Sequence, residues 1–276
     1  MNANNCMMKN LFRCVCLALF CVLPWAAGAR QDVPLLGGQV IIEPGQSDEE
    51  IEGWFRILND NGMKVCRIRM FEEYMHDTES DTWDFSLFDK AFAAAEKYGV
   101  RVFATLFPLD KHNTASLGGV KLPADDTHLT RIANYISHVV EHFSKFDSLY
   151  AWVLINEPGT GGWIPEGTLS DKLYEQWRDT LPESSYRTNY RRLVNFDRQK
   201  FVTGYNTWYL RWLAARVREC DPHSEIHVNN HQLFENVAEY DFPAWRKFLT
   251  SLGTSAHPSW HFNYFQRSRY AVALAA

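Results

Sequence analysis

A net charge of −5 spread over 276 residues, with no basic block, leaves no electrostatic footprint for nucleic acid. At 46% hydrophobic and 22% charged residues, the chain carries the apolar material of a large folded core, which excludes a disordered or fibrous protein.

The N-terminus reads as a targeting segment. Lys9 and Arg13 precede an apolar run from Val15 to Trp25, and Ala27-Gly28-Ala29 gives a small-residue cleavage pattern. Residues 1–29 are therefore expected to be a signal peptide, and residues 30–276 one domain in an exported, periplasmic or extracellular, protein. The run is short for a bilayer span, so no stable membrane span is expected after leader removal; an uncleaved anchor is the competing reading. Cleavage removes two positive charges and no negative ones, taking the net charge from −5 to −7. Four of the six cysteines leave with the leader. Cys66 and Cys220 remain, too few for a disulfide framework and without metal-ligand spacing. Cys66 reads as a small buried hydrophobe, and a bridge to Cys220 stays open.

Beyond the leader, strands alternate with helices. Val40-Ile41-Ile42, behind Gly37-Gly38, reads as a first strand. Ser47 and Glu50 form a capping-box pair before a helix with apolar positions Ile51, Trp54, Phe55 and Leu58, ended by Asn61-Gly62. Val65–Phe71 is a second strand, with Arg67 and Arg69 on one face because strand side chains alternate. Burying two arginines there calls for carboxylate partners. Trp83-Asp84-Phe85-Ser86 opens a second helix that Tyr98-Gly99 closes. Val100–Phe107 is a third strand, followed by a long loop, Pro108–Asp126. The third helix spans about Thr127–Lys145.

The fourth strand lies in Leu149–Gly159, LYAWVLINEPG. A β-branched and aromatic run ends in Asn156-Glu157, with Pro158-Gly159 as the stop. A long insertion, Pro158–Ser185, follows. A helix over about Asn189–Cys220, a strand Ile226–Asn230, a short helix Phe242–Leu252, a strand Thr254–Ser259 and a helical Gln266–Ala276 complete the order. Six βα units in alternation imply a parallel sheet, and the fold class is an α/β (βα)8 TIM barrel, incomplete, with its last units expected beyond residue 276.

A carboxylate and an amide at the carboxyl end of a barrel strand stand where such barrels build active sites. Asn156-Glu157, following Trp152, resembles the acid/base signature of retaining clan-A glycoside hydrolases. Within that clan the chain is most similar to the catalytic domain of the glycoside hydrolase family 42 β-galactosidases. Cys66-Arg67-Ile68, Trp83-Asp84-Phe85, Ala151-Trp152…Asn156-Glu157 and Val228-Asn229-Asn230, with Asp241-Phe242 and Trp245 downstream, carry the resemblance over roughly Gly37–Phe262.

The resemblance implies hydrolysis of β-galactosides or related β-linked glycans by double displacement. Glu157 would be the acid/base, Asn156 the contact to the sugar 2-hydroxyl, and Arg67 the support for the charged nucleophile. That nucleophile, a Glu on a seventh strand, is expected beyond residue 276; Glu235 and Glu239 do not match its motif. Another clan-A β-glycanase, of glucanase or mannanase type, and a non-catalytic carbohydrate-binding protein on a decayed barrel are the alternatives. His231, His257, Arg69 and Trp163 are candidate substrate contacts, each with an ordinary structural role as the competing reading. The 14% aromatic share is compatible with stacking on sugar rings in an oligo- or polysaccharide partner. No cofactor and no metal are expected, since no Gly-rich loop follows a strand and no cluster has ligand spacing.

Overall fold

The structure is a computed structural model that describes residues 35–110, 123, 125–158, 167–179, 191–230 and 240–255. Its centre is a six-stranded parallel sheet. The strands are β1 (Gly37–Val40), β2 (Val65–Phe71), β5 (Arg101–Phe107), β6 (Leu149–Asn156), β7 (Glu225–Asn230) and β8 (Ser251–Thr254), paired in that order. The two-residue strands β3 (His76–Asp77) and β4 (Thr82–Trp83) form a separate antiparallel hairpin. Each sheet strand is added beside its predecessor, with no reversal of order. Right-handed crossovers then bring every helix to the same face of the sheet, leaving the other face to curl inward. The result is a six-unit arc of a (βα)8 barrel.

The helices are α1 (Asp48–Asp60), α2 (Ser86–Tyr98), α3 (Asp126–Phe143), α4 (Thr168–Asp179), α5 (Arg191–Cys220) and the single turn α6 (Phe242–Trp245). The capping box of α1 forms as its sequence dictates: Glu50 N–H donates to Ser47 Oγ at 3.2 Å, and Ser47 N–H donates to Glu50 Oε2 at 2.8 Å. Gly99 ends α2 at φ 63°, the left-handed conformation a C-terminal glycine adopts without steric cost.

Alternation sorts each strand into two faces. On β2, Cys66, Ile68 and Met70 are buried beneath the helices, while Arg67 and Arg69 lie half-buried on the inner face. On β7, Ile226 and Val228 join the helix-side core, while His227 and Asn229 face inward. Trp152 of β6 is fully buried and donates its indole N–H to Asp221 Oδ2 at 2.8 Å, so this large core side chain also satisfies its polar atom. Burying each such large apolar side chain contributes about 1.5–3 kcal/mol. Cys66 and Cys220 are both free thiols, and burial pushes the Cys66 thiol up to about 12. Among the described residues, no helix is long and apolar enough to cross a membrane.

Several elements differ from the sequence reading. The first strand runs over Gly37–Val40 rather than Val40–Ile42. A Cβ on Gly37 would stand 2.3 Å from the Val65 carbonyl oxygen, so only glycine allows this approach of β1 to β2. Ile41 projects outward instead of pairing. The helix expected over Phe242–Leu252 stops at Trp245, and the sixth sheet strand forms at Ser251–Thr254, three residues before the expected Thr254–Ser259. The insertion after Glu157 contains a helix, α4, that the sequence reading lacks. The helix expected at Gln266–Ala276 lies outside the described residues.

Candidate functional site

The site is built at the carboxyl end of β6, the fourth strand of the sheet. Register explains how. Against β7, Val153 pairs with His227, but Asn156 pairs with Asn229: three steps on β6 match two on β7. This bulge changes the alternation. By strict period two Asn156 would follow Trp152 and Leu154 under the helices. The extra residue instead turns it onto the inner face, as bulges beside functional sites do.

There Asn156 meets Arg67. Arg67 Nη2 donates to Asn156 Oδ1 at 2.6 Å, and its Nε donates to Thr105 Oγ1 at 2.8 Å. Asn229 Nδ2 also donates to Asn156 Oδ1, at 3.3 Å, and to Ser255 Oγ at 3.2 Å. The Asn156 oxygen is thus occupied twice, and its Nδ2 is the group left to donate to a ligand. For hydrogen bonding, the carboxylate partner expected for Arg67 is replaced by an amide and a hydroxyl. Arg69 stacks its guanidinium 5.7 Å from the centre of the Phe107 ring, and its buried Nε has no hydrogen-bond partner among the described residues.

Glu157 follows the bulge with φ 51°, in the left-handed region that a glutamate seldom occupies. Its N–H donates to the Asn229 carbonyl at 3.0 Å, and Tyr240 donates its hydroxyl to the Pro158 carbonyl at 2.9 Å, fixing the chain on both sides of the carboxylate. Strained backbone held by its surroundings clusters at functional sites. Burial and repulsion from Arg69 bring the Arg67 guanidinium down to about 10, with the Glu157 carboxylate pulling the other way. Burial, reinforced by the Arg67 charge, lowers His227 to about 4, so its ring is neutral near pH 7. Its Nδ1 is 2.8 Å from Ser251 Oγ.

A cavity of about 360 Å³ lies on the inner face, lined by Gln39, Arg67, Phe103, Val153, His227 and Asn229 among others. Its lining includes Gly37 and Val65, the first residues of β1 and β2, and neither Asn156 nor Glu157. Of the sequence-predicted residues, Arg67, Asn156 and Glu157 come together, with Arg69 two residues along on the same face. Trp163, His231 and His257 lie outside the described residues. Thr105, Ser255 and His227 escaped the sequence reading, which named Asn229 only as part of the resemblance and gave it no site role; the alternation of β7 was the signal for His227 and Asn229. Among the described residues, no group of His, Cys, Asp and Glu side chains is arranged to hold a metal ion.

The singly wound parallel arc, with its polar cluster at the carboxyl end of the fourth strand, is part of a (βα)8 barrel. Solved structures show the same fold. A β-galactosidase from Bacillus circulans sp. alkalophilus superposes with a TM-score of 0.68 at 12% identity, over 88% of this chain and 43% of that one. A catalytic mutant of a GH42 β-galactosidase from G. stearothermophilus gives 0.61 at 14% identity, over 83% and 41%. An endo-β-1,4-mannanase from Thermotoga petrophila gives 0.55 at 16% identity, over 86% and 56%. The chain spans about two fifths of the length of these galactosidases. No family model and no curated protein matches its sequence.

Proposed function

We propose that this chain is the barrel portion of an exported retaining β-glycosidase acting on β-galactosides or related β-linked glycans. The observation that carries the reading is the bulge that turns Asn156 inward onto Arg67, immediately before the strained Glu157. Glu157 protonates the departing glycosidic oxygen, then as a carboxylate takes a proton from the attacking water. Asn156, its oxygen held by Arg67, offers Nδ2 to a sugar hydroxyl and so orients the ring at the reacting carbon. Arg67 also supports the charge of the nucleophile. Retention needs that second carboxylate about 5–5.5 Å away; we assign it to the barrel units that follow β8. Arg69, Trp163, His231 and His257 are proposed substrate contacts on the sequence reading.

In the full-length protein, Glu157→Gln should abolish turnover of glycosides with poor leaving groups while sparing binding. Unchanged turnover would remove the assignment. The mannanase likeness favours a second reading, an endo-acting β-glycanase on the same catalytic pair. Internal cleavage of a mannan or glucan, with no release of galactose, would select it. Binding of glycans by a full-length protein that never turns them over would instead select a carbohydrate-binding role.

A further inference from the structure

The end of β2 carries a second cluster of titratable groups, apart from Glu157. Glu72, in the one-turn 3₁₀ helix Glu72–Tyr74, is only 6% exposed. Its Oε2 accepts the Leu109 N–H at 2.7 Å, and its Oε1 is 2.9 Å from His76 Nδ1. The other ring nitrogen, His76 Nε2, is 3.0 Å from Asp81 Oδ1. Carboxylate oxygens only accept hydrogen bonds, and a neutral imidazole has a single N–H donor. Two such contacts on one ring therefore require one proton more than a neutral ring and two carboxylates hold. The surroundings favour that proton. His76 stacks on Trp83 with centroids 4.1 Å apart and planes 6° apart, an aromatic face that attracts a cation. Asp81 adopts φ 52°, a left-handed conformation that aspartate tolerates.

We propose that Glu72, His76 and Asp81 form a proton-holding staple that positions the Leu109 backbone, at the exit of β5, against the end of β2. The inference is independent of the glycosidase reading. Other titratable and charged groups face the staple. They are Asp77 on the hairpin, Arg131 and Tyr135 of α3 near Glu72, and His138 of α3, which stacks on Trp83. His128 of α3 stands near the Leu109 backbone, and burial lowers its pKa, moving its titration to the acid side. Burial raises Glu72, which favours keeping a proton within the cluster. With the proton in place both ring contacts are hydrogen bonds, and Glu72 stays aimed at Leu109. Without it, one contact becomes lone pair against lone pair. The two ring contacts are both hydrogen bonds only while the cluster holds that proton, so the staple is present on the acid side and lost as pH rises.

Amide exchange at Leu109, followed by NMR on the full chain from about pH 5 to about pH 9 with the intrinsic pH effect removed, tests this. Wild-type protection should fall about tenfold or more as pH rises, whereas His76→Gln should stay flat within about twofold. His128→Gln should keep the wild-type profile. The ¹⁵N shifts of the wild-type His76 ring should report both nitrogens protonated at the acid end, losing one proton in step with Leu109. A flat wild-type profile, or a single neutral tautomer at every pH where the protein is folded, overturns the proposal. The two wild-type measurements decide it even if His76→Gln does not fold.

Discussion

Replacing Arg67 with Met should separate the stability of the site from its chemistry. Two opposed quantities fix the outcome. Arg67 makes two hydrogen bonds, to Thr105 and Asn156, and bonds from a charged donor contribute ~1.5–3 kcal/mol each. Against them, burial and the neighbouring Arg69 bring the guanidinium down to about 10. That corresponds to roughly 3 kcal/mol against the charged form, less whatever solvent screens at its open face. Methionine keeps much of the stem volume and removes the charge. The two contributions offset to a net of roughly 0–3 kcal/mol, so the unfolding free energy from urea titration should fall by less than about 3 kcal/mol. Asn156 meanwhile loses its main anchor, and on the proposed mechanism its misplacement costs ~10²-fold in kcat/KM. Far-UV circular dichroism and hydrolysis of an aryl β-galactoside, on one preparation of the full-length variant, measure both. A stability loss above about 4 kcal/mol with unchanged turnover per folded molecule would refute the reasoning and make Arg67 a structural pin.

Two further outcomes follow from the same geometry. The Tyr135 hydroxyl, fully buried, donates to the Met70 carbonyl at 2.6 Å and accepts from Phe107 N–H at 3.1 Å. Tyr135→Phe should therefore cost about 2–4 kcal/mol in urea unfolding, because two buried backbone groups lose a partner; a loss below about 0.5 kcal/mol would contradict this account of the β2–β5 junction. His227 is lowered to about 4 in the folded state. The unfolded chain takes up this proton first, so stability should fall as pH drops from about 6.5 to about 4, by at most roughly 3 kcal/mol. His227→Gln should flatten that part of the pH–stability curve, and an unchanged slope would show that another group governs it.

The residues whose local chemistry decides their place were legible in the sequence. The Ser47–Glu50 capping pair, Gly99, and the alternation of β2 needed nothing beyond nearest neighbours. Elements decided by long-range packing were not. Val40-Ile41-Ile42 has the composition of a strand, yet pairing falls on Gly37–Val40 because glycine alone tolerates the approach to Val65. The strand Ser251–Thr254 has no apolar alternation; a Cβ on Gly253 would lie 2.9 Å from His227 Nε2, a contact invisible without β7. The helix α4 did leave a signal, since Leu169, Leu173 and Trp177 recur every fourth residue. At the site, Glu157 and Arg67 stood out by type and position. The partner set of Asn156 did not, because it depends on a bulge that reverses the face its spacing dictates.

The role of Glu157 as the acid/base is tested most directly by Glu157→Ala in the full-length protein, assayed on an activated aryl β-glycoside with and without azide. Removing the carboxyl leaves formation of the glycosyl-enzyme to the good leaving group and deprives only the attacking water of its base. Azide, which needs no base, should then restore turnover and yield the β-glycosyl azide, with configuration retained in its proton NMR spectrum. No rescue by azide, or an α-configured product, would contradict the assignment.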